Sequence, residues 1–368
     1  MPDSDPAQVD AFAPAPVSAV SRDGVPQFGG FEGIVAITGF PRLADEYRLG
    51  GDDLVARARR GVRQKAWVYL FAATPEISVV AALVNGGVTG SGFLMVTDLR
   101  TGEVIVDSSR QGARAKVNDR PGDGLRATYR LPGTRYSIHR EGAAVRFTAS
   151  LGAAVVGRPR ASEPWVEVDL TMHETGSGIT AISPVDHGSR SGVSVTGKTA
   201  GKSVTGGIVV HVHGAPRSFS LDGGLGGYDY TKGFMLRRTA WRWAYGVGRL
   251  ADGTVLGFNL TEGFSGVGER GRENAVWIDG RPSPLDARTR FTFDRDDILA
   301  PWQVKTADGA VRLRFVPLAR HHEHLDVKVL RSHFVQPVGH FAGEIDVAGR
   351  THVLDRVPGV TEDQDILW

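Results

Sequence analysis

The sequence predicts an all-β protein built from two antiparallel barrel-like or sandwich-like domains. Three observations carry this. Short alternating segments are punctuated by Gly, Asp-Gly and Pro every 8 to 12 residues or so, the spacing of meandering antiparallel strands. No strand-helix-strand alternation appears, which disfavours a parallel nucleotide-binding sheet. Helical periodicity is scarce, with Leu43 through Arg59 the main candidate.

In chain order, residues 1 to 28 are rich in Pro, Ala, Asp and Ser and read as a flexible tail. Trp67–Ala72 and Ile77–Leu83 then flank Thr74-Pro75-Glu76, and Gly92–Leu99 and Val104–Asp107 flank Arg100-Thr101-Gly102; each pair reads as a hairpin. Gly223-Gly-Leu-Gly-Gly227 lacks the Lys-Ser/Thr ending and following helix of a phosphate cradle, and reads as a turn. Around Asp308-Gly309, Trp302, Val304, Thr306, Val311, Leu313 and Phe315 share one face, while Gln303, Lys305, Arg312 and Arg314 share the other. That face pattern is one side core and one side water. A last hairpin turns at Ala348-Gly349.

Composition narrows the function classes. The 43 basic and 41 acidic residues give a net charge of +2 without a basic tract, so a nucleic-acid partner is not expected. With no cysteine, disulfides and thiolate chemistry are excluded. The start, Met1-Pro-Asp-Ser-Asp-Pro, lacks a secretory signal, and no apolar run reaches the length of a membrane span. A cytoplasmic protein without a transmembrane segment is expected.

The most informative stretch is Trp241 to Phe264, two strand-like runs joined at Asp252-Gly253. Asp-Gly between alternating residues is the strongest short hairpin signal. A two-residue loop pairs Val247 with Phe258, Tyr245 with Leu260, Trp243 with Glu262 and Trp241 with Phe264. Glu262 then lies on the aromatic face, and Asn259 and Thr261 lie opposite. A slip of one residue would exchange the faces.

Several blocks recur in order: Tyr228-Asp-Tyr-Thr-Lys-Gly, Trp241-Arg-Trp-Ala, Gly257-Phe-Asn-Leu, Glu273-Asn-Ala-Val-Trp, Pro301-Trp-Gln-Val, Gln336-Pro-Val-Gly-His and Gly359-Val-Thr-Glu-Asp. With Gln64-Lys-Ala-Trp and Gly197-Lys198, their order and spacing resemble the bacterial domain-of-unknown-function family 2804 over most of residues 60 to 368. The Gly-rich stretch Ser265 to Gly271 departs from that pattern and is a candidate gate. The family is similar in architecture to a lipocalin-like group of carotenoid hydratases, tocopherol cyclases and AttH-like proteins. The resemblance implies two lipocalin-like β-domains, placed at 29–190 and 191–368, with an apolar ligand site in or between them. It implies no redox cofactor.

Within that frame the expected partner is a hydrophobic small molecule, isoprenoid or lipid-like, and the expected chemistry is acid-base hydration, cyclisation or isomerisation. The alternatives are a non-catalytic carrier or sensor, and a structural stress-related protein. Protonating carbon needs a carboxyl kept neutral by apolar surroundings, with aromatic faces to steady a developing cation. Glu262 is the first candidate, against a surface pairing with Arg242, Arg238 or Arg237. Asp229 between two tyrosines, read as a turn residue by preference, and Glu273 complete the catalytic set. Tyr230, Arg238, Trp241, Trp243, Tyr245, Asn259, Asn274 and Trp277 are the expected ligand contacts. His211 and His213 share a strand face without a following ligand, and His321-His-Glu-His324 reads as a solvated loop, so no metal is expected.

Overall fold

The computed structural model describes residues 12–152, 165–212, 215–264, 273–327 and 330–368. Among these, sixteen strands form one sheet and nine form a second, with a single α-helix, Leu54–Arg63. The chain is all-β, as its patterning predicts.

The first sheet runs from Ala13–Pro14 to Gly224–Phe234. Side chains from strands far apart in its order, among them Val68, Leu94, Tyr129, Phe147, Leu170, Ile208 and Tyr230, share one buried cluster, so the sheet must curl over itself. Gly92 permits the closure, since a Cβ there would stand 2.8 Å from the Tyr129 ring. The second sheet is a wholly antiparallel meander from Arg238–Arg249 to Arg350–Leu367. It wraps around Phe258, Trp277's neighbour Val276, Trp302, Phe315 and Phe341. Its edge strand Thr289–Thr292 folds back against Val255–Gly263, where Glu262 accepts the Phe291 N–H (3.1 Å) and Asn274 donates to Thr289 (3.2 Å).

The two sheets meet back to back. From Ala66 onward, strand Gln64–Ala73 is apolar because it is covered on both faces. Val68, Leu70 and Ala72 point into the first sheet's interior, and Trp67, Tyr69 and Phe71 point towards the second sheet. Opposite them stand Trp241, Trp243 and Tyr245 of Arg238–Arg249. Trp67 stacks on Trp241 (6.0 Å between ring centres), Tyr69 meets Trp243 edge-on (4.9 Å) and Phe71 meets Tyr245 (5.6 Å).

The hairpin at Asp308-Gly309 keeps its predicted register, Trp302 opposite Phe315 and Val304 opposite Leu313. The hairpin at Asp252-Gly253 does not. Only Gly253 has positive φ (+89°), and the Gly253 N–H bonds to the Leu250 carbonyl while the Leu250 N–H bonds to that of Thr254. This is a three-residue loop with a left-handed glycine, where a type I′ turn would need positive φ at Asp252 as well. The pairing shifts by one: Trp241 opposes Gly263, Trp243 opposes Thr261, and Arg242 opposes Glu262.

Other expectations also change. Residues 12–28 are anchored at intervals, with Phe12, Ala19 and Val20 buried against the sheets and Val17, Val25 and Phe28 exposed. The helix begins later than the sequence suggests, after 3-10 turns at Phe40–Arg42 and Asp45–Tyr47. Gly224 to Gly227 lie in a strand, where a methyl on Gly227 would collide with the Thr199 carbonyl and the Tyr245 hydroxyl. His321 to His324 lie in strand Val311–Val327. The passage between sheets falls between Phe234 and Arg238, so residues 191–234, grouped by sequence with the C-terminal half, contribute strands to the first sheet. The Ser265–Gly271 stretch and His213 lie outside the described residues.

Candidate functional site

Between the sheets, beside the aromatic ladder, lies a largely apolar cavity of about 200 Å³. Trp67, Tyr69 and Phe93 wall it from the first sheet, and Trp241, Trp243 and Phe334 from the second. Its polar lining includes a cluster of Lys198, Asp229, Glu273 and Glu362, with Gln111, Glu323, Arg331 and Gln364 also on the wall.

The carboxylate beside Trp243 is Glu362, supplied by the neighbouring strand on the opposite side from the expected one. Strand Arg350–Leu367 pairs with Arg238–Arg249 so that Val360 opposes Tyr245, Glu362 opposes Trp243 and Gln364 opposes Trp241. Glu362 is 6% exposed. It accepts hydrogen bonds from Trp241 Nε1 (2.5 Å) and Gln336 Nε2 (3.0 Å). Burial pushes its carboxyl up to about 7, against the pull of those two donors and of Lys198.

Asp229 sits in strand Gly224–Phe234, not in a turn, because its strand passes between the first sheet's interior and the cavity. Its neighbours Tyr228 and Tyr230 point into the interior; Tyr230 donates to the Asn118 carbonyl (2.9 Å) and does not reach the cavity. Asp229 accepts from Lys198 Nζ (2.9 Å) and Thr231 Oγ1 (3.0 Å). Lys198 also stands 3.6 Å from Glu273 and over the Trp243 ring, 5.2 Å from its centre. Burial alone would strip the Lys198 proton, yet Asp229 and Glu273 outweigh it and hold the amine above its ordinary value. Burial raises the Glu273 carboxyl, and Lys198 opposes the rise. One end of the cavity therefore carries a carboxyl raised by burial and an ion-paired carboxylate, environments that separate an acid from a base.

Two further buried polar groups belong to the lining, the Tyr69 hydroxyl beside Gln336 and Thr261 Oγ1 beside Glu273. Burial, reinforced by Glu362, pushes the Tyr69 phenol well above its ordinary value and keeps it a donor.

The remaining sequence candidates divide. Trp241 and Trp243 line the cavity. Asn259 supports it from behind, accepting from Trp243 Nε1 (2.6 Å) and donating to the Glu273 carbonyl (2.7 Å). Tyr245 lies deeper, its hydroxyl donating to the Thr199 carbonyl (3.1 Å). Glu262 is turned to the other face of its strand, 3.5 Å from Arg242, because the register slips. Arg238 is exposed and paired with Asp365 (2.6 Å). Asn274 accepts the Thr261 N–H (2.7 Å), and Trp277 is buried with its ring N–H on the Ser177 carbonyl (2.9 Å). His321 is buried between Asp107 (2.6 Å) and Glu323 (3.3 Å), tying the sheets together, instead of lying in solvent. Among the described residues no group of three or more His, Asp or Glu is arranged to hold a metal, and no helix is long and apolar enough to cross a membrane.

Glu362 and Lys198 were not singled out by sequence reasoning as site residues. Both nonetheless stand in short blocks that the sequence displays, Gly359 to Asp363 and Gly197-Lys198.

A family model described as domain of unknown function (DUF2804) matches residues 47–368. Among curated proteins none matches the chain. Among solved structures, CghA with Sch210972 aligns over 83% of this chain and 89% of its own, at 12% identity and a TM-score of 0.47. Kievitone hydratase from Nectria haematococca aligns over 83% and 88%, at 13% identity and a TM-score of 0.45.

Proposed function

The chain belongs to the DUF2804 family, whose description names no activity, and from that premise we propose that its inter-sheet cavity binds a hydrophobic small molecule and performs acid-base chemistry on it. The observation that carries this is Glu362, a carboxyl held near neutrality on the wall of an aromatic cavity. A ligand bearing a carbon–carbon double bond would take the Glu362 proton onto one alkene carbon. The cation left on the other carbon would face Trp67, Trp241 and the Tyr69 ring, whose π-clouds attract positive charge. Asp229, ion-paired with Lys198, would then accept a proton. If it comes from a water adding to the cation, the outcome is hydration; if from a neighbouring carbon, isomerisation. The departing proton returns to Glu362 through solvent before the next turnover.

The experiment is incubation of the protein with terpenoid and isoprenoid lipid extracts in D2O, with mass analysis of the products. The reading expects wild type to yield a product carrying a solvent-derived deuterium on carbon, and Glu362→Gln to bind the same compound and return it unlabelled. Ligand recovered unaltered from both would leave a carrier, and labelling undiminished in Glu362→Gln would place the acid elsewhere.

A further inference from the structure

The helix Leu54–Arg63 carries its apolar side chains outward. At about 100° per residue, Leu54, Ala58, Val62 and Val55 fall within one arc roughly 100° wide. All four are exposed: Leu54 is 77% exposed, Val55 66% and Val62 44%. The side turned to the protein holds Ala56, which is buried, with Arg60 and Arg63 half-buried. Arg59 and Arg60 donate to the Leu49 (3.2 Å) and Gly50 (2.9 Å) carbonyls beneath. The helix is held in place from below by its arginines and by the Asp53 cap on the Ala56 N–H (2.8 Å), while its apolar stripe meets solvent. Single exposed valines need no explanation; a continuous stripe does.

The stripe ends at the cavity mouth. Lys65 Nζ donates to the Val62 carbonyl (2.8 Å) and to that of Gly86, pinning the helix end to the 86–89 turn. A Cβ on Gly87 would lie 2.5 Å from the Val62 oxygen. The next residue, Val88, is 65% exposed and lines the cavity. Cations flank this surface: Arg57 is exposed on the helix, and Arg63 lies close enough to Arg59 and Arg237 for their charges to act on it. Of the acids at the helix start, Asp53 is engaged as the cap, Asp52 pairs with Arg48 and Arg60, and Asp45 pairs with Arg48.

We propose that this stripe and the Val88 rim dock on an anionic phospholipid bilayer, setting the cavity mouth against the acyl chains. Apolar side chains bordered by arginines match acyl tails beneath a layer of phosphates. A second copy of the chain is the poorer fit, since a two-fold interface here would bring arginine-bearing helices face to face. The docking stands whether or not the cavity performs chemistry.

The test is co-sedimentation of the full chain with vesicles of phosphatidylcholine alone and with about 30% phosphatidylserine. Wild type is expected to bind the mixed vesicles about tenfold more tightly than the neutral ones, and to release them in about 0.5 M salt. The triple variant Leu54→Asn, Val55→Asn, Val62→Asn should lose about tenfold or more in binding with an unchanged circular dichroism spectrum, its sites being solvent-exposed. Arg57→Gln, which leaves the stripe intact, should lose about fivefold. Wild type that stays in the supernatant, or a folded triple variant that binds like wild type, overturns the proposal. So does a wild-type dimer in sedimentation velocity that the triple variant abolishes while vesicle binding is absent.

Discussion

Replacing Glu362 by Gln should change how stability depends on pH, in a direction and amount that follow from its surroundings. In the unfolded chain this carboxyl titrates at its ordinary 4.5, and in the fold burial moves it to about 7. At about 1.4 kcal/mol per unit, the difference corresponds to about 3 kcal/mol. Because the folded value is the higher one, the favourable contribution is complete below pH 4.5 and is lost as pH rises through about 7. Wild type should therefore lose about 3 kcal/mol between pH 4.5 and 8.5 relative to Glu362→Gln, whose amide stays neutral and still accepts from Trp241. Urea unfolding followed by tryptophan fluorescence at several pH values measures both chains. Buried His340, lowered to about 4 by burial and by Arg356, contributes stability that is lost on acidification. It is present in both chains, so it cancels in the difference. A wild-type-minus-variant difference that stays within about 1 kcal/mol over this range would refute the claim that the cavity keeps this carboxyl protonated.

Further outcomes follow from the same network. Burial lowers His321 but Asp107 and Glu323 more than offset it, raising the ring to about 9, so its contribution is present below 6.5 and lost through about 9. His321→Gln should cost up to about 3 kcal/mol at pH 6 and little above pH 10 in the same urea assay; a pH-independent cost would contradict the ion pairing. Lys198→Met leaves Asp229 and Glu273 buried without their cation and should cost about 3–5 kcal/mol, read as a fall in thermal midpoint that acid partly restores. Asn259→Leu strands the Trp243 ring N–H and the Glu273 carbonyl, at about 1–3 kcal/mol each; wild-type stability by chemical denaturation would show that neither bond matters.

What could be read from the sequence is what depends on alternation alone. The Trp302 to Phe315 hairpin is legible because six alternating inward positions are apolar or Thr, and a one-residue slip would turn them to solvent. The Trp241 to Phe264 hairpin resists because both its strands are buried on both sides, so neither face pattern excludes the slipped register and a single φ angle at Asp252 decides it. That one-residue shift moves Glu262 to the other side of the sheet and brings Asn259 and Thr261 beside the tryptophans. Asp229 was legible as an anomaly between aromatics, though not as a strand residue, since its partner Lys198 lies on another strand, Ser191–Lys198. Glu362 is placed by pairing across a gap of more than a hundred residues, which local periodicity does not encode. Phe12 and Val20 are buried through contacts with distant strands, which the Pro- and Ala-rich composition of the first 28 residues does not reveal.

The central claim, that an apolar ligand occupies the space between the sheets, is tested most directly by native mass spectrometry after incubation with lipid extract. Wild type should retain an apolar small molecule as a defined mass increment. Ala82→Phe, which puts a ring into a cavity wall now lined by a methyl, should lose that increment while keeping the wild-type fold. No increment on wild type, or one that Ala82→Phe leaves untouched, would contradict the account.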